Sequence, residues 1–255
     1  MVIMQTPPMH DAARSGTLAI VLLALCAFAG AAERAPLPGA SGPPQVEIGK
    51  VNVFGIDELP PAMQEEARRA LRLQLERARA GVRFDAVDDE DWQWPAPPEQ
   101  LFPSFATMNQ GRVLIRPRDL AQTSLAGLRF LGLEDNTARP GEPVLTIARE
   151  FQRPDGIIIE LVENQLDGRG AAVMVRELIH DWVGPWPAVF SVQRSPSGRV
   201  RSVIDWADNG TAFTLMVLDD VRRPRASTVY DKAWMFDLAR QIEAAPRAGP
   251  GEDRH

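Results

Sequence analysis

The sequence is short of the side chains that carry much of protein chemistry. Cys26 is the single cysteine, and Lys50 and Lys232 are the only lysines among the 255 residues. Cys26 lies in an apolar stretch near the N-terminus that we expect to be removed, so the mature chain should contain no cysteine. This excludes a disulfide, a cysteine nucleophile, a thiolate zinc site and an iron–sulfur cluster.

Motifs for nucleotides, metals and nucleic acids are also missing. The chain has no GxxxxGK sequence and no GxGxxG opening a helix. Its few histidines and scattered acids form no recognisable set of ligands for zinc or iron. With a net charge of −6 and a pI near 5.2, nothing in the charge balance indicates nucleic acid or an anionic membrane surface as a partner. We therefore expect no cofactor, no metal and no nucleic-acid partner.

The N-terminal region has the features of an export signal. An apolar run from Thr17 to Gly30 follows Arg14 and ends in small residues of the A-x-A type. A membrane span needs roughly 20 apolar residues, so this run is too short to cross comfortably. We predict a signal peptide over residues 1–32, a periplasmic or extracellular location, and no stable transmembrane span after cleavage. A lipoprotein anchored through Cys26 is the alternative, although Leu25 argues against it because the residue before a lipidated cysteine is normally small.

The remaining chain divides by composition. Residues 33–45 are rich in proline, glycine and serine, and predict a disordered tether. Residues 46–246 predict a single α/β globular domain, with a possible subdivision near residue 140, where proline and glycine cluster. The polar residues 247–255 predict a disordered tail. The sequence leaves the oligomeric state open.

A three-strand meander over residues 188–221 organises the predicted fold. Ser195-Pro196-Ser197-Gly198 and Asp208-Asn209-Gly210 are strong hairpin-turn signals, so the strands that they join are antiparallel. Apolar residues recur at helical spacing between Pro61 and Ala80, and every fourth residue from Tyr230 to Ile242. These patterns predict an α+β fold in which an antiparallel β-sheet meander packs against an N-terminal and a C-terminal helix.

The C-terminal part, from about residue 144 to residue 245, resembles a group of small exported domains. The order of W-x-G-x-x-A-V-x-S-V, S-G-R-V-x-S-V-I-x-W, G-T-A-F-T-L-M-V-L and the helix AWMFDLARQIEAA is similar to that of the Mog1/PsbP-like domains and related bacterial envelope domains. The resemblance implies an α/β sandwich that binds or scaffolds something. It carries over no catalytic residue.

Four tryptophans are the candidate binding residues. Trp92, Trp94, Trp182 and Trp186 lie among prolines, where loops are expected, and exposed aromatic residues are favoured at binding surfaces. Together with the missing chemistry, they favour a non-catalytic exported protein over an enzyme. Its partner would be an envelope protein or a small apolar ligand held between the sheet and the segments Trp92–Phe105 and Trp182–Trp186.

The alternative is a hydrolase built on His180, the only histidine outside the N-terminal segment and the final residue. Asp205 or Asp208 would then orient its imidazole. The sequence offers no G-x-S-x-G elbow to present a serine nucleophile. Acids at the ends of hairpin strands are also common for structural reasons, because they accept hydrogen bonds within turns.

Overall fold

A computed structural model describes residues 50–81, 84–89, 92, 95–96, 98–108, 113–136, 143–166, 172–208, 210–222 and 229–248. The predicted signal peptide (1–32), the predicted tether (33–45) and Trp94 lie outside these residues. No helix in the described part of the chain is long and apolar enough to cross a membrane.

The structure combines helices with one large and mostly antiparallel sheet, which confirms the predicted α+β class in its broad form. The strands are β1 (Val51–Phe54), β2 (Asp85–Ala86), β3 (Arg129–Asp135), β4 (Thr146–Gln152), β5 (Ile158–Gln165), β6 (Ala172–Val175), β7 (Asp181–Val183), β8 (Trp186–Arg194), β9 (Val200–Ala207) and β10 (Thr211–Val217). The helices are α1 (Pro61–Arg79), α2 (Phe105–Met108) and α3 (Lys232–Ala244), with short 3₁₀ turns at Ile56–Glu58, Pro98–Gln100, Leu120–Gln122, Ser124–Gly127 and Arg176–Leu178.

The large sheet has the strand order β2-β8-β9-β10-β5-β4-β3, and β7 pairs with the first half of β8. The meander predicted from the two turn signals is β8-β9-β10. A second meander, β3-β4-β5, joins it through the antiparallel pair β5–β10. Two pairings are parallel, β2 with β8 and β1 with β6, and the turn signals could not predict them because the paired strands are far apart in sequence.

The face of the large sheet that packs on α3 is called the first face. Side chains alternate between faces along a strand, and large buried apolar side chains of the central strands, such as Phe151, Leu161 and Phe213, lie on this one. They form the main core with the buried side of α3, which includes Met235, Leu238 and Ile242. Asp231 caps the helix, because its carboxylate accepts a hydrogen bond from the backbone N–H of Trp234 at 2.8 Å.

A smaller unit stands beside the large sheet. Its two parallel strands, β1 and β6, carry α1, and the helix packs through Ala67, Met63 and Leu71 against Val173. Pro61 begins α1, where a missing N–H costs nothing, and Gly81, with φ of 67°, follows its end. The unit contacts the β9–β10 end of the large sheet through an apolar cluster of Val51, Leu166, Ala172, Ala207 and Ala212.

The folded chain continues two residues past the predicted domain boundary at residue 246. Arg247 forms an ion pair with Asp208 at 3.0 Å. Ala248 is buried, and its backbone N–H donates to the carbonyl of Pro117 at 2.7 Å. The part of the predicted tail from residue 249 onward lies outside the described residues.

Candidate functional site

The opposite face of the large sheet, called the second face, carries several acids among apolar side chains such as Val162, Val203 and Met216. The cross-strand register places Glu134, Glu150, Glu160 and Asp205 on it, with Arg201 near one end. We call these four acids, together with Arg201, the carboxyl cluster. Charged side chains at the centre of a sheet are costly to bury, so their presence here needs a reason other than the stability of the core.

The described residues between positions 85 and 102 (85–89, 92, 95–96 and 98–102) lie along the second face from one edge to the other, and we call them the crossing segment. It starts as β2 on the edge of β8 and ends where Phe102 bridges to Leu133 of β3. Leu101 and Phe102 lie directly against Gly132, where a Cβ atom would come within 2.7 Å of the Cβ of Leu101. Only glycine allows this approach, so the contact depends on residue 132.

Three side-chain contacts hold the crossing segment between its ends. Asp89 accepts hydrogen bonds from the hydroxyl of Ser197 at 2.6 Å and from Arg199 at 3.2 Å. Hydrogen bonds from Ser197 are the main cause that lowers the pKa of Asp89 to about 2, so this contact is ionic at neutral pH.

The other two contacts reach the carboxyl cluster itself. The ring of Trp92 lies 4.6 Å from the guanidinium carbon of Arg201, in a cation–π contact. The backbone N–H of Ala96 donates to Oε1 of Glu150 at 2.9 Å. Trp92 therefore contacts β9, and Ala96 contacts β4, which is the neighbour of the strand β5 that carries Glu160.

Glu150 and Glu160 face each other directly across β4 and β5. Both are buried, with 1% and 3% of their surface exposed. Two carboxylates so placed repel each other in a medium of low dielectric constant. The burial of Glu160, with the charge of Glu150 as the next cause, raises the pKa of Glu160 to about 8, so it is largely protonated at neutral pH.

Burial also shifts the pKa values of the other charged groups in the cluster. Burial raises the pKa of Asp205 to about 6, although Thr214 donates a hydrogen bond to it at 2.6 Å. Burial also raises the pKa of Glu134, with a contribution from Asp135. Arg201 is subject to the opposite effect, because burial lowers the pKa of its guanidinium. The pKa is thus raised for three of the acids in the cluster, Glu134, Glu160 and Asp205.

Two polar atoms next to the crossing segment have no hydrogen-bond partner among the described residues. They are Oε2 of Glu160 and Nε1 of Trp92, and both belong to side chains that are at least 95% buried. Buried polar atoms are normally paired, and those that are not are often found at functional sites. In the described part of the chain, no three acidic, histidine or cysteine side chains are arranged to hold a metal ion.

The predicted tryptophan surface does not form as one site. Trp92 is buried, with 5% of its surface exposed, because the crossing segment folds it onto Arg201. Trp186 is half-buried, and its indole N–H donates to Glu243 at 2.9 Å. Trp182 is 59% exposed and pairs with Pro187 of β8. Pro187 is six residues, about 20 Å along the strand, from Gln193, the residue that pairs with Arg201. Trp94 lies outside the described residues.

The residues of the predicted hydrolase are also separated. His180 is exposed before β7 and forms no hydrogen bond with Asp205 or Asp208. Asp205 lies on the second face, where Thr214 is its hydrogen-bond partner. Asp208 does not lie with Asp205 on the second face, and it forms ion pairs with Arg118 and Arg247. The arrangement that a histidine-based hydrolase requires is therefore absent among these three residues.

Asp208 is part of an ionic network that anchors the end of α3. Arg118 contacts Asp208 at 2.6 Å and Glu243 at 3.3 Å, and Arg247 contacts Asp208 at 3.0 Å. Arg118 also donates to the carbonyl of Ala245 at 2.7 Å. Here two bases meet two acids, unlike the carboxyl cluster, so this network has a structural role.

Sequence reasoning did not identify Glu150, Glu160 and Arg201. A signal was present for Glu160, which interrupts the strongly apolar stretch IIIELV, and a weaker one for Glu150, which follows Arg149 in the stretch IAREFQ. A charge in the middle of such a strand is expected to be paired or functional. What the sequence could not show is that the two strands place the two acids opposite each other.

Comparisons with protein-family models, with curated proteins and with solved structures gave no match.

Proposed function

We propose that the protein is an exported, non-catalytic binding protein, which holds a small ligand between the second face of its sheet and the crossing segment. One observation carries the proposal: on the second face, next to the crossing segment, Glu160 and Asp205 are buried with raised pKa values, and two buried polar atoms have no hydrogen-bond partner among the described residues. Groups with strongly shifted pKa values near a covered surface are candidates for a functional site.

The buried acids of the second face bear on the kind of ligand. The sequence suggested an apolar ligand between the sheet and the segment Trp92–Phe105. The position is kept in this proposal, but the carboxyl cluster supports a polar ligand, since an apolar molecule would leave its acids unsolvated.

Export from the cytoplasm is part of the proposal and is supported by the sequence pattern of residues 1–32. The destination is the periplasm or the exterior, with a lipid anchor on Cys26 as the alternative. We also propose that residues 46–246 form one body, with the N-terminal helix packed beside the sheet as in the predicted fold. The ion pair of Arg77 in α1 with Asp85 in β2 and the apolar cluster around Ala172 support it. The sequence resemblance to the Mog1/PsbP-like domains is part of this proposal.

A protein partner is the second candidate, and Trp182 favours it. This side chain stands 59% exposed on the short hairpin of β7 and β8, whose outer edge is a three-residue strand. An exposed tryptophan on a rigid hairpin is typical of an interface contact. The hairpin and the carboxyl cluster are separate, so the two candidates can be tested independently.

Native mass spectrometry of the protein purified from the envelope tests the ligand proposal. We expect a bound mass on the wild type that is lost in Ala96→Pro, which removes the N–H that donates to Glu150. Pro95→Ala, at an exposed neighbour, is the matched control and should retain the mass. If the wild type carries no additional mass, or if both variants retain it, a ligand does not bind at this site.

A further inference from the structure

We propose that the proline-rich segment of residues 35–44 docks on its own chain, with Pro43 and Pro44 packed on the exposed ring of Trp182. The contact is intramolecular and lies on the hairpin of β7 and β8. This hairpin is separate from the carboxyl cluster, so the inference goes beyond the ligand proposal and does not depend on it.

Trp182 has the accessible ring and the available donor that such a contact needs. Its surface is 59% exposed, and within the described part of the chain its indole N–H has no hydrogen-bond acceptor. The indole groups of Trp186 and Trp206, by contrast, both donate to Glu243, at 2.9 and 3.3 Å. A large apolar ring with a polar tip, held on a hairpin, is typical of a contact surface.

The chemistry of the hairpin favours a proline-rich occupant over an added β-strand. The strand β7 is three residues long, so a strand on its outer edge would gain few main-chain hydrogen bonds. A polyproline II segment needs no such pairing, because it has no internal hydrogen bonds and its carbonyl groups can accept from an indole N–H. Proline-rich segments bind aromatic side chains in this way. Residues 35–44, APLPGASGPP, contain no charged residue, which suits an indole beside the exposed turn Gly184-Pro185.

The start of β1 lies close to this hairpin. Val51 packs with Ala207 in the apolar cluster between the two-stranded unit and the large sheet. The register of β7, β8 and β9 places Trp182 opposite Pro187, and Pro187 beside Ala207. Because neighbouring strands are about 4.8 Å apart, Trp182 is about 10 Å from Ala207.

The side chains also share a face of the sheet. Val183 and Trp186 belong to the main core on the first face. Since side chains alternate along a strand, Trp182 and Pro187 point to the second face, as Ala207 does where it meets Val51.

The segment is long enough to reach Trp182. The described chain begins at Lys50, and the residues between it and Pro44 are 45–49. Five extended residues span about 17 Å, which covers the distance to Trp182 from a start beside Val51. A segment attached so close to its docking surface has an effective concentration in the millimolar range, which favours it over dissolved molecules. A protein partner at Trp182 would therefore have to displace this segment.

The test is NMR of the mature protein at the indole N–H of Trp182, assigned by its loss in Trp182→Phe. A neutral gadolinium chelate in solution measures the exposure of this proton through its relaxation rate. We expect weak enhancement of relaxation in the wild type, and NOEs from the indole ring to Pro43 and Pro44. The double variant Pro43→Ser/Pro44→Ser should raise the enhancement severalfold. Pro36→Ser/Pro38→Ser is the matched control and should leave it unchanged.

Every other outcome overturns the inference. Equal enhancement in the wild type and in Pro43→Ser/Pro44→Ser would show that these prolines do not cover Trp182. A change with Pro36→Ser/Pro38→Ser alone would place the contact elsewhere in the segment. Protection that is lost on dilution, or NOEs between labelled and unlabelled chains in a mixed sample, would assign the contact to a second copy. None of these results affects the ligand proposal, which mass spectrometry tests separately.

Discussion

Replacing Glu160 by glutamine should make the protein more stable, by an amount that grows with pH. The side chain is 3% exposed, and its pKa is raised from the ordinary value of 4.5 to about 8. Below pH 4.5 the acid is protonated in both the folded and the unfolded state, so it costs nothing. As the pH rises between the two values, the unfolded chain loses the proton while the folded chain keeps it, and stability falls.

The size of the effect follows from the same shift. Each pH unit in this window costs about 1.4 kcal/mol, so the wild type should lose roughly 3 kcal/mol relative to Glu160→Gln between pH 5 and pH 7. The loss should level off above about pH 8, where the folded state ionises as well. Glutamine has nearly the same shape and no charge, so the comparison isolates ionisation.

Urea unfolding at pH 5, 6, 7 and 8 measures the difference through the transition midpoint and its slope. Glu99→Gln is the control, because this acid is exposed on the crossing segment. A difference between Glu160→Gln and the wild type that stays constant from pH 5 to pH 8 would refute the reasoning. It would mean that Glu160 is ionised in the folded protein, or that a cation within the chain already pairs with it.

Three further predictions follow from the fold and the leader sequence. Gly132→Ala should lower the free energy of unfolding in urea by about 1–3 kcal/mol, since the added Cβ would meet Leu101. Gly127→Ala has open space and should be close to neutral. Equal effects of the two changes would place the crossing segment elsewhere. Leu238→Ala should cost about 2–5 kcal/mol, because the side chain is buried in the main core, and Arg240→Ala on the exposed side of α3 should cost little; a negligible shift for Leu238→Ala would show that α3 does not pack on the first face. The exported protein should have the intact mass of a chain that starts at residue 32 or 33. A mass that includes residues 17–30 would contradict cleavage, and an added acyl mass would indicate the lipid anchor on Cys26.

The elements with strong local signals were the ones that the sequence could predict. Asp208 and Gly210 mark a turn whose geometry depends on nearby residues: the carboxylate of Asp208 accepts from the N–H of Thr211 at 2.7 Å. The stripe of Leu238 and Ile242 likewise needs only a helix and one apolar partner. Both features depend on a few consecutive residues, so their patterns are sufficient.

The site depends on contacts between distant residues. Glu150 and Ala96 are 54 positions apart, and Asp89 and Ser197 are 108 apart. No turn or periodicity encodes such pairs, so the path of the crossing segment could not be predicted. For the same reason Trp92 was interpreted as an exposed binding residue, although the structure buries it on Arg201.

Native mass spectrometry of the protein purified from the envelope tests the central claim most directly. The account predicts a bound mass on the wild type and on Pro95→Ala, and its loss in Ala96→Pro, which removes the N–H that donates to Glu150. A wild type without additional mass, or an Ala96→Pro variant that retains the mass, would contradict the claim that a ligand binds between the second face and the crossing segment.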